Sequence, residues 1–168
     1  MLKLTRNIAL SAAALSVAVL LGAAAPLPSQ ATPVVNGMGA FVAGDGSTIA
    51  FQVHLVQLPD GSLNGSGSSS RKGGPGGNSW FQFDVIDSMP SGNDLVVLGV
   101  ITETKGAPFP VGSLTALMIQ DNGQGGGTPD KMLSGSGLPS SVTIEQVLAS
   151  IPPSNFWAPL ASGNFVIH

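Results

Sequence analysis

The sequence predicts an all-β protein, an antiparallel sandwich or open barrel of about six to eight short strands with one short helix near the C-terminus. Three observations carry that expectation. Apolar residues recur at every second position in several runs, the period of a strand with one face on a core. Glycine and proline, 23 and 13 of 168 residues, gather between those runs where turns are needed. Val, Ile, Leu and Phe remain plentiful, so the high glycine content does not imply disorder.

Residues 1–31 read as an export signal. Lys3 and Arg6 give the positive end, Ile8 to Ala25 the apolar stretch, and Ser29 and Ala31 the small residues a signal peptidase recognises. The alternative is a retained anchor, because the apolar stretch nearly reaches spanning length. Its richness in Ala and Ser, with a cleavage site directly after it, favours removal. No cysteine stands at the cut for a lipid anchor. Cleavage after Ala31 leaves one domain over 32–168, with four basic residues against nine acidic ones and a net charge of −5 instead of −3. That balance makes nucleic acid and anionic membrane surfaces poor partners. With no cysteine, an exported chain has no disulfide, and the core alone must hold the fold.

Along this domain, Gly39 to Ala43 reads as a first strand, joined through Gly44-Asp45-Gly46 in a hairpin to Ser47–Leu58. In the second strand Ile49, Phe51, Val53 and Leu55 alternate with Ala50, Gln52, His54 and Val56, which places His54 toward solvent. Gly61 to Asn78 is rich in Gly and Ser with one isolated Leu63, and reads as a flexible loop with a positive tip at Arg71 and Lys72. Asn64-Gly65-Ser66 is formally a glycosylation sequon. Trp80 to Ile86 alternates again, with Phe81, Phe83 and Val85 on one face. Asp94 to Ile101 is a continuous apolar run, expected of a strand covered on both sides.

Gly112 to Gln120 is the next strand, Lys131 to Gly137 a weaker one, and Gly163 to His168 a short closing one. Between the last two, Thr143 and Gln146 have capping-box spacing, and Ile144, Val147, Leu148 and Ile151 form a helical stripe that Pro152 and Pro153 terminate. Phe156 and Trp157 either cap the core or form an exposed contact. No period of solenoid or propeller type is present.

Candidate chemistry is sparse. Asp121 to Lys131 (DNGQGGGTPDK) fails as an EF-hand, since Met132 falls at position twelve and Gly125 at position five. It also fails as a phosphate loop. Asp121, Asn122 and Asp130 could still join main-chain carbonyls around calcium as a weak site; the competing reading is a turn built on Asn-Gly. His54 and His168 lie in no catalytic motif, and GxSxG and HExxH are absent. Asp84, Asp87 and Glu103 are the candidate carboxylates for a glycosidase, but three residues along one strand put Asp84 and Asp87 on opposite faces.

The order of these motifs resembles the post-COAP type of exported bacterial β-domain. The residues that carry it are a glycine-flanked first strand, Phe51-Gln52-Val53, an apolar strand ending in Asp121-Asn122-Gly123, a glycine-rich step to Asp130, and the tail Gly163 to His168. The resemblance covers about 37–168, and it implies export and a β-rich domain with no established activity. The Gly/Ser segment at 61–78 and the helix followed by PPSNFW depart from the pattern.

The expectation is therefore a secreted, non-catalytic binding or structural module of the cell envelope or extracellular space. It has no cofactor beyond the calcium candidate, and its partner is an unidentified envelope or extracellular component. The alternatives are a polysaccharide hydrolase and a calcium-stabilised adhesion module. In either a binding or an adhesion module, loops at one end of the scaffold are the expected contact region.

Overall fold

The computed structural model describes residues 32–91, 93–123 and 127–168. The predicted export signal lies outside them. Nine antiparallel strands form one continuous sheet: β1 (Thr32–Val42), β2 (Thr48–Gln57), β3 (Leu63–Lys72), β4 (Ser79–Ser91), β5 (Asp94–Lys105), β6 (Leu114–Gln120), β7 (Lys131–Leu138), β8 (Ala158–Pro159) and β9 (Ser162–Ile167). Helix α1 (Ile144–Ser150) and a 3-10 turn (Ser154–Phe156) lie between β7 and β8. Strands β1 to β8 form an up-and-down meander, and β9 pairs back onto β1, so the order is β8-β7-β6-β5-β4-β3-β2-β1-β9. The sheet curls into a half-barrel. Of the two architectures left open by the sequence, the open barrel forms, and the domain is not a sandwich of two stacked sheets.

Inside the curl, alternate residues from nearly every strand meet. Val35, Phe51, Val53, Leu55, Phe81, Phe83, Leu95, Val97, Leu117, Ile119, Met132 and Phe165 are all buried in one cluster. A second cluster lies on the outer face of β5 and β6, where Val96, Leu98, Leu114, Ala116 and Met118 pack beneath Ile144, Val147 and Trp157. This outer layer explains why β5 and β6 read as unbroken apolar runs. Helix α1 begins as its sequence predicts: the Gln146 N–H donates to Thr143 Oγ1 at 3.4 Å, and the Thr143 N–H donates to Gln146 Oε1 at 3.0 Å. The aromatic pair after it divides. Trp157 is buried, with its indole N–H donating to the Pro152 carbonyl at 2.9 Å, while Phe156 is exposed.

The segment expected to be a flexible loop is corrected by the structure, because Leu63–Lys72 is strand β3, paired along its length with β2 and with β4 over Ser66 to Arg71. Of that segment, Gly61 and Ser62 belong to the β2–β3 turn and Gly73 to Asn78 form the β3–β4 connection. The strand forms because β3 does not need apolar side chains of its own to join the core. Its inward positions Gly65, Gly67 and Ser69 are small, and the neighbouring strands fill the space. A Cβ on Gly65 would sit 2.7 Å from Leu55 Cδ1, and one on Gly67 would collide with the Phe83 ring.

A bulge in β4 produces a second correction. Val85 pairs with Gly99, but Asp87 pairs with Leu98, so Ile86 is an extra residue and stands 52% exposed. The inserted residue resets the alternation. Asp84 and Asp87 therefore share the outer face instead of lying on opposite ones.

The two margins of the curl are joined by bonds from the β8–β9 connection and from β9 to Asp121 and Asp130. Leu160 N donates to the Asp130 carbonyl at 2.9 Å and Ala161 N to the Ala40 carbonyl at 2.7 Å, so the β8–β9 connection ties the start of β7 to β1. Strand β9 has β1 on one side only. On the other, Phe165 N donates to Asp130 Oδ2 at 2.9 Å and Ile167 N to Asp121 Oδ2 at 3.0 Å. Two carboxylates thus take the place of a missing ladder, and they satisfy main-chain donors that would otherwise be unpaired.

Candidate functional site

At the end of the curl that holds the β1–β2, β3–β4 and β5–β6 connections, the inner face opens into a mouth cavity of about 180 Å³. Phe51 on β2, Phe81 on β4 and Phe109 on the β5–β6 connection form its apolar wall. Phe81 meets Phe51 edge-on at a centroid distance of 6.3 Å and Phe109 at 6.0 Å, the T-shaped arrangement aromatic quadrupoles favour. Ser69, Ser79, Ser134 and Ser136 bring hydroxyls from three strands. The Ser136 hydroxyl is already engaged with Thr115 Oγ1 at 2.9 Å. A space this small holds one ring or a short aliphatic group, since a cavity of about 150 Å³ accepts benzene.

Arg71 stands on the rim. Its guanidinium pairs with Asp45 on the β1–β2 turn, and Gly76 of the β3–β4 connection lies against it, so that a Cβ there would sit 3.4 Å from Cζ. Arg71 Nε is buried without a hydrogen-bond partner among the described residues. Asp45 is held below the usual carboxylate range chiefly by Ser47, whose hydroxyl and N–H both donate to Oδ1, with the Arg71 charge adding to the effect.

Outside the rim runs a second, shallower groove lined by Ser70, Arg71, Lys72, Asn78, Ser79, Trp80 and Lys105. Ile49 opposes Arg71 and Thr48 opposes Lys72, which puts Arg71 on the inner face and Lys72 on the outer one. Trp80 lies toward the outer side, next to the inward Phe81, and with Arg71 and Ser79 it lines both the mouth and the groove. The sequence marks Arg71 and Lys72 but misses Trp80, Lys105, Phe109, Ser134 and Ser136 as neighbours. Only the strand register brings them together.

Asp121 Oδ1 accepts the Gly123 N–H at 2.7 Å and Asp130 Oδ1 the Asn122 N–H at 3.0 Å, so with the bonds to β9 every carboxylate oxygen of the pair accepts a main-chain donor. Asn122 donates its amide to the Pro129 carbonyl at 2.8 Å. Asp121 and Asn122 border a shallow hollow beside His168, whereas Asp130 is buried behind them. His54 is exposed on β2, as its position in the alternation predicts. Asp84 and Glu103 are exposed and Asp87 is half-buried, its Oδ1 accepting the Ser88 N–H at 2.8 Å. None of the three lines the mouth. Among the described residues, no group of three or more His, Cys, Asp or Glu is placed to hold a metal. No described helix is long and apolar enough to cross a membrane.

No protein-family model, curated protein or solved structure matches the chain.

Proposed function

We propose that this chain is an exported, non-catalytic binding module of the cell envelope or extracellular space, and that its ligand inserts a ring or short aliphatic group into the mouth cavity. One observation carries the reading. The mouth is where an aromatic wall, several hydroxyls and a guanidinium converge on one concave surface, the combination of apolar lining and few polar groups that small-molecule sites share. The leader-like residues 1–31 and the resemblance to exported β-domains support the location. N-terminal sequencing of the protein from its native host tests that part, with Thr32 expected as the first residue.

Thermal-shift screening with small aromatic and aliphatic compounds tests the site. Hits are expected for the unaltered protein and are expected to vanish in Ser134→Leu, which fills the cavity. Hits that persist in that variant, or no hits at all, would sink the reading.

The hydrolase alternative draws one observation from the bulge, which puts Asp84, Asp87 and Glu103 on the outer face of β4 and β5. Two carboxylates flanking a bond are what glycoside hydrolysis requires. Release of reducing ends from a panel of polysaccharides, abolished by Asp84→Asn, would favour it over binding alone.

A further inference from the structure

Basic residues are scarce in this chain, and their placement is uneven. Beyond residue 31 there are four, against nine acidic ones. Three of the four, Arg71, Lys72 and Lys105, line the outer groove around Trp80. The groove is also the place where Asn78 and the hydroxyls of Ser70 and Ser79 border an indole face.

Arg71 is offset by Asp45, so the surplus charge belongs to Lys72 and Lys105. They stand on β3 and β5, two strands apart with Trp80 of β4 between them, and hence roughly 10 Å from each other by ordinary strand spacing. Both lysines are exposed, while Trp80 is half-buried.

We infer that this groove binds an acidic polysaccharide, a chain of hydroxylated rings bearing carboxylates. The indole offers a flat apolar surface for a ring, and the hydroxyls and the Asn78 amide suit a hydroxyl-rich ligand. The lysines suit anions spaced along an extended chain. Two exposed lysines, with Glu103 two residues from Lys105 on the same strand, give only a modest attraction for anions. Recognition therefore rests on packing of a ring against the indole and on hydrogen bonds from Ser70, Ser79 and Asn78, which a polyanion without hydroxylated rings does not make.

The inference goes beyond the mouth reading and can fail independently of it. Titration calorimetry with oligogalacturonate is expected to show binding that weakens as salt is raised, with no binding of the methyl-esterified oligomer, which keeps the rings and loses the charge. Lys72→Ala/Lys105→Ala and Trp80→Ala are each expected to weaken it by about ten-fold or more. Ser134→Leu, which fills the mouth and leaves the groove, is expected to bind oligogalacturonate normally. Circular dichroism of each variant checks that it folds, and the double lysine variant alters only exposed side chains.

The inference is overturned by absent binding of oligogalacturonate, by equal binding of the esterified form, or by an unchanged affinity in the double lysine variant. Tighter binding of oligothymidylate or polyglutamate overturns it as well, as does loss of binding in Ser134→Leu. If the lysine variant loses the glycan but keeps the small-molecule hits of the mouth, the two sites are separate.

Discussion

Strands β2, β3 and β4 as far as Val85 turn one face to a core and the other to solvent, whereas β6 and the Leu95–Ile101 part of β5 are covered on both faces, by the inner cluster and by α1 with Trp157. The exposed half alternates strictly, as in Phe81, Phe83 and Val85 against Gln82 and Asp84; the covered half runs Leu95-Val96-Val97-Leu98 without a polar break. The difference teaches that hydropathy along a strand reports what covers each face, and that a strand can also join a core by being small. Strand β3 contributes almost no apolar side chain, yet it stands between two strands rich in large apolar residues, because Gly67 makes room for the Phe83 ring and Gly65 for Leu55.

The largest effects should come from emptying the two cores. Phe83→Ala removes a fully buried ring from the inner cluster and is expected to cost about 4 kcal/mol; Trp157→Ala removes the cap of the outer cluster and should cost about 3 kcal/mol. Denaturant unfolding followed by circular dichroism measures both. If Trp157→Ala cost less than about 1 kcal/mol, α1 and its cluster would be an appendage outside the cooperative unit, and the two-face account of β5 and β6 would lose its energetic basis.

The seam where the halves meet comes next. Asp130→Ala strands the Phe165 and Asn122 N–H groups, the first of them at a buried position, and an expected loss of about 3 kcal/mol follows from leaving such donors unpaired. Asp130→Asn keeps an acceptor oxygen and should lose less. The calcium expectation is decided on the same protein. With main-chain donors on all four carboxylate oxygens, melts in calcium and in chelator should share one midpoint, and a higher midpoint in calcium would restore a metal role to Asp121, Asn122 and Asp130.

Much of this was legible in the sequence where side chains announce their own environment. The alternation of β2 and β4, the buried run of β5 and the capping box of α1 are local patterns, and each formed where expected. Features set by a partner strand were not legible. The identity of β3 depends on Phe83 and Leu55 pressing against Gly67 and Gly65, which no window along 61–78 contains. Asp84 and Asp87 share a face because one residue bulges, and nothing in Phe83 to Ser88 marks Ile86 as the extra one. Of the candidate site, the Arg71–Lys72 pair was visible, but Trp80, Lys105 and the serines of β7 join it only through sheet register.

Glycine substitutions sharpen the contrast between a small strand and an open one. Gly67→Ala forces a Cβ into the Phe83 ring and against the Gln52 carbonyl, for an expected loss of about 2 kcal/mol by overpacking. Gly135→Ala on β7 meets nothing within 4 Å and should change stability by less than about 0.5 kcal/mol in either direction. Equal effects at the two positions would mean that β3 tolerates side chains and is not defined by lack of space.

The smallest effect is expected at the rim, in the Asp45–Ser47 turn. Because the Ser47 hydroxyl and N–H, and then Arg71, favour the charged carboxylate, the folded protein holds Asp45 below its unfolded pKa. The stability this provides is present above the unfolded pKa and is lost as pH falls through the folded one. Carboxyl-carbon NMR titration should find Asp45 among the last carboxylates to protonate on acidification. Ser47→Ala, which removes the leading hydroxyl donor, should move its midpoint up toward the ordinary range, and Arg71→Gln should move it less. A larger shift in Arg71→Gln would reverse that order and make the ion pair, not the turn, the device that fixes the rim of the mouth.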